Sequence, residues 1–502
     1  MENRINLLDG SQKKLTDAFA DRSKFVAYRA STVFPVLLGS STDVIVAMLN
    51  YWKIKSGILN IVCNIRIYQE NGALVHLSHH KIQSDHFHIS LQSLVGKTDF
   101  IGMAEVEILS TENMRFPFPA IMTFYKSGEV YSAVHSAGRI KNPDEAYIPS
   151  HSCETNWSCK FTGDITPFFH VFNGPRQDSV PEIRAQLFDP KNKLLEDRTF
   201  CPEIRAPFSS KIFFAEDIFS TNDVPIDSFI KVTLPNAEFF PRLVVGNYHK
   251  SIKFLEATHS FKEIDFEDFC PDLRPEKSLL SFMGILQPEE LKVELVSFPT
   301  NSPSLSPVKS EIRRTSNGVL EKTNEIIAWD AGVKADRIFR YRLGPSDRAI
   351  TLDFKEGKVP SRLNASYCYR VKNASGVFST DIASGANFNG YPPKHSQWGH
   401  GIIGNSYETV IMFHNFSHHP DTTQKAQGTL TVYSDKFAPL NYDLVIMPEG
   451  ISFVYLKKAF ALADFPRENT IVSWFIKFDA PTVFSYWVSY ANDGRICGEH
   501  GF

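Results

Sequence analysis

From Asn60 onward the chain alternates apolar and polar residues in short runs, with turn residues between them. Ile61, Cys63, Ile65 and Ile67 fall on one face of an extended strand, because side chains alternate faces residue by residue. Gln69-Glu70-Asn71-Gly72 then supplies an Asn-Gly hairpin turn, and Ala73–Leu77 returns. The same alternation marks His86–Leu91, Met103–Leu109, and a hairpin of Ala120–Tyr125 and Val130–Val134 around Lys126-Ser127-Gly128. Further strands are expected at Phe168–Phe172, Ile183–Phe188, Leu194–Phe200, Phe229–Leu234, Arg242–Gly246 and Ser251–Ala257. Many short strands at near-regular spacing predict a sandwich or jelly roll rather than a parallel sheet with crossover helices.

Two stretches break this pattern. Within residues 1–55, Leu15, Phe19 and Phe25 recur at loosely helical spacing, and Val44–Trp52 fits neither period. This segment reads as an N-terminal extension docked on the first sandwich. Residues 265–325 carry Pro271, Pro275, Pro288, Pro299, Pro303 and Pro307 among Ser and Asn, which predicts a linker with one strand at Leu291–Val296.

On either side of that linker the landmarks repeat. Pro149-Ser150-His151-Ser152 precedes Trp157, and Pro393-Lys394-His395-Ser396 precedes Trp398. From Trp157 to His259 is 102 positions (259 − 157), and from Trp398 to His500 is 102 (500 − 398). Phe172-Asn173 answers His414-Asn415, Cys201-Pro202-Glu203 answers Met447-Pro448-Glu449, and Ser251–Ala257 answers Ser485–Ala491. Several landmarks in one order indicate a duplication. The expected architecture is all-β: two tandem, duplicated β-sandwich (jelly-roll-like) domains with a short mixed N-terminal extension. The expected boundaries are 1–55 for the extension, 56–264 for the first domain, 265–325 for the linker and 326–502 for the second domain.

Composition narrows the function classes. At 502 residues with 43% hydrophobic and 22% charged content, the chain has ample material for more than one core. The net charge of −3 gives no basic field for a nucleic-acid backbone. Seven scattered Cys fit free thiols in a reducing compartment better than a disulfide framework. The polar start carries no secretory leader pattern and no apolar run reaches membrane-spanning length, so the expected location is cytoplasmic. Walker A, Gly-x-Gly-x-x-Gly, His-Glu-x-x-His and Gly-x-Ser-x-Gly motifs are absent, which disfavours nucleotide enzymes, common metalloproteases and α/β-hydrolases.

The candidate chemistry sits in the repeated segments. His151, Ser152 and Trp157, and likewise His395, Ser396 and Trp398, combine imidazole, hydroxyl and indole in long loops. That mix suits a glycan or protein ligand, the indole serving as a flat platform. The competing expectation is that each Trp plugs the end of its sandwich core. His259 and His500 end their strands beside Phe261 and Phe502, and could join His151 and His395 in a divalent transition-metal site or an acid–base pair. Two local clusters are further metal candidates: His414, His418 and His419, and His76, His79, His80, His86 and His88 as a cross-strand group. The leading expectation is a non-catalytic tandem sandwich that binds carbohydrate or a protein partner. A metal-dependent enzyme of tandem jelly-roll type, acting on a small or glycan-derived substrate, and a structural or assembly subunit are the alternatives.

Overall fold

A computed structural model describes residues 26–96, 99–115, 121–135, 138–140, 152–155, 157–175, 182–201, 204, 206–234, 242–263, 285–301, 310–316, 319–322, 336–344, 349–354, 362–374, 376–387, 394–415, 424–448, 450–460, 466–482 and 484–502. Its chain divides into two units. Met1–Asp189 with Leu194–Lys262 forms the first, and Pro190–Lys193 with Glu263–Phe502 the second. The all-β class holds among the described residues, where eight antiparallel sheets pair into four sandwiches, two in each unit.

In the first sandwich, β1 (Arg29–Leu38), β6 (Phe100–Ser110), β3 (Ile61–Gln69) and β4 (Leu74–Ile82) form one sheet in that order. β5 (His86–Ser90), β2 (Thr42–Leu49), β7 (Ile121–Ser127) and β8 (Val130–His135) form the other. The second sandwich repeats the order. β9 (Ser152–Thr155), β14 (Phe229–Leu234), β11 (Ile183–Phe188) and β12 (Leu194–Phe200) make one sheet. β13 (Ser210–Phe214), β10 (Ile165–Phe172), β15 (Val244–His249) and β16 (Phe254–His259) make the other, and β17 (Phe261–Lys262) joins the first sheet beside β9.

The second unit follows suit. Its third sandwich has β18 (Ile285–Leu286), β23 (Ala349–Phe354), β20 (Ser310–Ser316) and β21 (Val319–Lys322) in one sheet. β22 (Phe339–Arg342), β19 (Leu291–Ser297), β24 (Arg362–Val371) and β25 (Thr380–Asn387) form its partner. The fourth has β26 (Lys394–Ile403), β31 (Thr470–Thr482), β28 (Ala426–Tyr433) and β29 (Leu440–Ile446), then β30 (Ile451–Tyr455), β27 (Glu408–His414), β32 (Phe484–Tyr490) and β33 (Ile496–His500). Counted within each sandwich, the strand order is always first-sixth-third-fourth and fifth-second-seventh-eighth. The duplication visible in the sequence is therefore one level of a fourfold repetition.

Two boundary expectations are corrected by this topology. Residues 29–49 are no extension: β1 pairs along its length with β6, and β2 with β5 and β7. The segment misled because Phe34, Val36, Val46 and Met48 lie where β1 and the second half of β2 are buried on both faces, which erases the alternation. Residues 265–325 are no mere linker, since β18, β19, β20 and β21 lie there and build the third sandwich. The expected strand at Leu291–Val296 is β19.

Packing repeats with topology. In the second sandwich Phe169, Val171, Phe213 and Val245 of one sheet cluster with Ala185, Leu187, Ile230 and Val232 of the other. In the fourth, Phe413 meets Trp474 and Phe478 edge-on, at ring-centroid distances of 5.8 Å. Within each unit, neighbouring sandwiches join at their eighth strands. Ser132 of β8 donates to Leu255 O and accepts from Ala257 N of β16. Thr380 of β25 donates to Gly498 O of β33. No helix among the described residues is long and apolar enough to cross a membrane.

Candidate functional site

Three structural devices recur at equivalent positions. The first is an Asn directly after the second strand. Asn50 N donates to Asp85 O (2.8 Å), Asn173 N to Ser209 O (2.8 Å) and Asn415 N to Gly450 O (2.9 Å). Each acceptor is the residue just before the fifth strand. The side-chain amides reach the same loops: Asn50 to Ser84 O, Asn173 to Ala206 O, and Asn415 to Ile446 O and Met447 O. Asn50 also caps the short helix α1 (Tyr51–Ser56) by accepting from Lys53 N.

The second device is a hook after the eighth strand, which crosses to the opposite sheet and pairs with the first strand. Val33 N donates to Gly138 O (2.8 Å). Phe261 pairs with Thr155, and Trp398 and Phe502 exchange backbone bonds of 3.0 and 2.9 Å. The third device is the eighth strand's last residue, which is His135, His259 or His500 in these three sandwiches. The equal spacing in the sequence thus marks a strand end and its hook. The register differs, however: Phe502 pairs with Trp398 itself, whereas Phe261 pairs two residues before Trp157.

The expected ligand platform is corrected. Trp157 is 1% exposed and belongs to the second sandwich's apolar core, so its indole offers no free face. Trp398 is also buried, stacked on Phe502 (centroids 4.7 Å) and edge-on to His400 (6.0 Å). His395 is exposed and Ser396 half-buried on β26. Ser152 starts β9, and His151, His418 and His419 lie outside the described residues.

The histidines divide by environment. His414 is buried in β27, and desolvation pushes its imidazole down to about 3, so it stays neutral. His259 is buried, with Nδ1 2.9 Å from Ser260 O. His135 packs edge-on to it, centroids 4.4 Å apart, so the two can offer ligand atoms within 4.8 Å. Burial and then the Arg242 guanidinium, 3.4 Å from His135 Nε2, hold that imidazole well below its ordinary range. A fixed cation beside His135 opposes a metal ion there. His500 is half-exposed, against Phe502 and 3.1 Å from Gly501 O. The expected cross-strand group of five histidines does not share a sheet. β4 pairs with β3, β5 with β2, and His79 instead bonds Asn64 at 2.7 Å.

Buried charges are paired within the fold. On the face of β1, β3 and β6, Arg29 and Arg66 hold Glu105 and Glu107. Burial, then the neighbouring Glu107, lifts Glu105 to about 7 against both guanidiniums. Burial also pushes Glu107 up, but Arg29 and Arg66 outweigh it and hold it below the usual carboxylate range. In the second sandwich Lys160 holds Glu256 at 2.7 Å and His249 approaches at 3.3 Å. Burial opposes ionisation of Glu256, yet these partners pull it down to about 2. Cys63 is a buried free thiol pushed up to about 12 by desolvation and then Glu107, the opposite of an activated nucleophile.

The sandwich edges are treated unequally. The hook bonds the first strand in three sandwiches, through a single bridge in the first, and the eighth strands meet within each unit. The fifth strand runs into a short helix in three sandwiches: α2 (Leu91–Val95), α3 (Ala215–Ile218) and α4 (Leu456–Phe460). The fourth strand ends its sheet in all four. Along these edges Leu74 and Leu77 of β4, Leu194 and Leu195 of β12, and Val445 of β29 are exposed. Sequence reasoning missed this pattern, although a Leu-Leu pair opening a strand of charged residues, Leu194-Leu195-Glu196-Asp197-Arg198, was a visible signal.

No protein-family model and no curated protein matches the chain. Among solved structures, a β-glucuronidase of Bacteroides uniformis is similar at a TM-score of 0.14 and 10% identity, over 50% of this chain. This chain spans 28% of that protein's length. A glycoside hydrolase family 32 structure from Bifidobacterium adolescentis aligns over 93% of this chain and 99% of its own, with a TM-score of 0.13 and 9% identity. A tetra-tandem repeat from the extending region of a large adhesion protein aligns at a TM-score of 0.09 and 8% identity, covering 94% and 98%. Likeness this slight carries no argument about activity.

Proposed function

We propose that the protein is a non-catalytic, multivalent binding scaffold whose partner is a polypeptide that adds a strand to the open fourth-strand edges. One observation carries this reading. Among the described residues, three copies have the other three edges meeting a hook, a neighbouring sandwich or a short helix, while the fourth strand ends its sheet and presents exposed aliphatic side chains. A row of backbone donors and acceptors flanked by apolar side chains is the template for strand addition. Repetition multiplies the effect, because a partner engaging one edge raises its effective concentration at the next. The buried, neutral histidines and ion-paired carboxylates support the non-catalytic side of the reading.

A photo-crosslinking residue placed at Leu77, Leu195 or Val445 in the producing cell tests it. Polypeptide adducts at these sites, absent when the probe replaces the buried Leu430, are the expected result. Substituting Leu74→Lys should remove adducts formed at Leu77, and Leu194→Lys those formed at Leu195, since each pair shares one exposed edge strand. Adducts at none of the three sites, with a glycan-array signal untouched by the Lys variants, would transfer the reading to carbohydrate.

A further inference from the structure

We infer that His86 and His88 form a chelating site for one divalent transition-metal ion on the edge strand β5. The two residues are separated by one position, so they project from the same face of the strand. His86 Nε2 and His88 Nδ1 stand 3.1 Å apart, and the ring centroids 5.3 Å apart with planes tilted by 48°. Imidazole binds zinc at about 2.0–2.1 Å in a tetrahedral shell, which places two such nitrogens roughly 3.3 Å apart. The observed separation lies within a few tenths of an ångström of that span.

The backbone holds the pair in place. His86 and His88 sit opposite Leu49 and Ala47 in the ladder with β2. Ser84 Oγ donates to His86 O, and Asn50 ties down the preceding turn through Ser84 O and Asp85 O. His86 is buried and His88 half-buried. Without metal, the two nitrogens share one proton in an N–H···N bond. The ion displaces that proton. Zn²⁺ and Cu²⁺ are the ions whose preference for imidazole fits.

Titration of purified protein with Zn²⁺ alone, followed calorimetrically at pH 7.5, tests the site. One saturable equivalent is expected, with proton release that changes the apparent heat between buffers of different ionisation enthalpy. His88→Gln should weaken binding by more than the roughly 10–100-fold typical of losing an outer-shell partner. His79→Gln, on the neighbouring sheet, should leave it unchanged. Because His86 is buried, His86→Gln is read only beside an unchanged Tm. A Cu²⁺-loaded sample gives a second readout, since paramagnetic resonance should show two nitrogen couplings in the wild type and one in His88→Gln. Absence of saturable binding, or binding and couplings indifferent to His88→Gln, overturns the inference.

Discussion

At the residue scale, the repeated polar side chains act as fasteners. Asn415 donates from one amide group to Gln424 O, Ile446 O and Met447 O. Replacing it with Ala removes these three hydrogen bonds, of which only the one to Ile446 O is buried, each contributing on the order of 1 kcal/mol. Asn415→Ala should therefore lower stability by about 2–3 kcal/mol in urea titration, and Asn173→Ala by somewhat less. His414 gives a pH signature. Its imidazole titrates near 3 when folded, against about 6.5 when unfolded. Between those values only the unfolded chain takes up the proton, so stability falls as pH drops through this window. His414→Phe, which installs the aromatic residue ending the matching strand of the second sandwich (Phe172), should flatten the fall of Tm between about pH 6.5 and 4. Parallel Tm curves would show that His414 is not the buried neutral group described. These roles were half legible. The Phe172-Asn173 and His414-Asn415 match is plain in the sequence, but Leu49-Asn50 hid in a stretch with no clear period.

At the scale of elements, alternation located many strands in chain order, including β3, β11, β12, β14 and β16. It failed where a strand is buried on both faces, as in β1 and the second half of β2, and where proline-rich segments bracket real strands, as around β19. It also could not say which sheet a strand joins. β4 and β5 are consecutive yet belong to opposite sheets, which dissolves the five-histidine group and leaves the His86–His88 pair. β26 shows a cost of close packing. A Cβ at Gly399 would stand 2.6 Å from Trp474 Cζ2 and 2.9 Å from Trp487 Cδ1, both on rigid rings. Gly399→Ala should destabilise by roughly 1–3 kcal/mol through overpacking, seen as a lower urea midpoint at unchanged slope.

At the scale of the whole molecule, the fourfold order was legible only in part, because topology repeats where residue identities do not. The second and fourth sandwiches share enough landmarks to be matched by eye, and the first and third share mainly strand order. Each unit joins its two sandwiches through apolar surface as well as hydrogen bonds. In the second unit Val410, Met412, Tyr486 and Val488 cluster with Leu295, Tyr367, Tyr369 and Ile382 of the third sandwich. A fragment of residues 394–502 would expose that face. It should unfold at lower urea than residues 285–502 and bind a hydrophobic dye when folded.

The open fourth-strand edge is the claim on which the account rests, and hydrogen exchange of the intact protein tests it most directly. The account predicts that β4, β12 and β29 exchange markedly faster than their inner neighbours β3, β11 and β28, because each edge strand is bonded on one side only among the described residues. Fourth strands as well protected as third strands would mean the edges are already covered, and would contradict the proposed mode of binding.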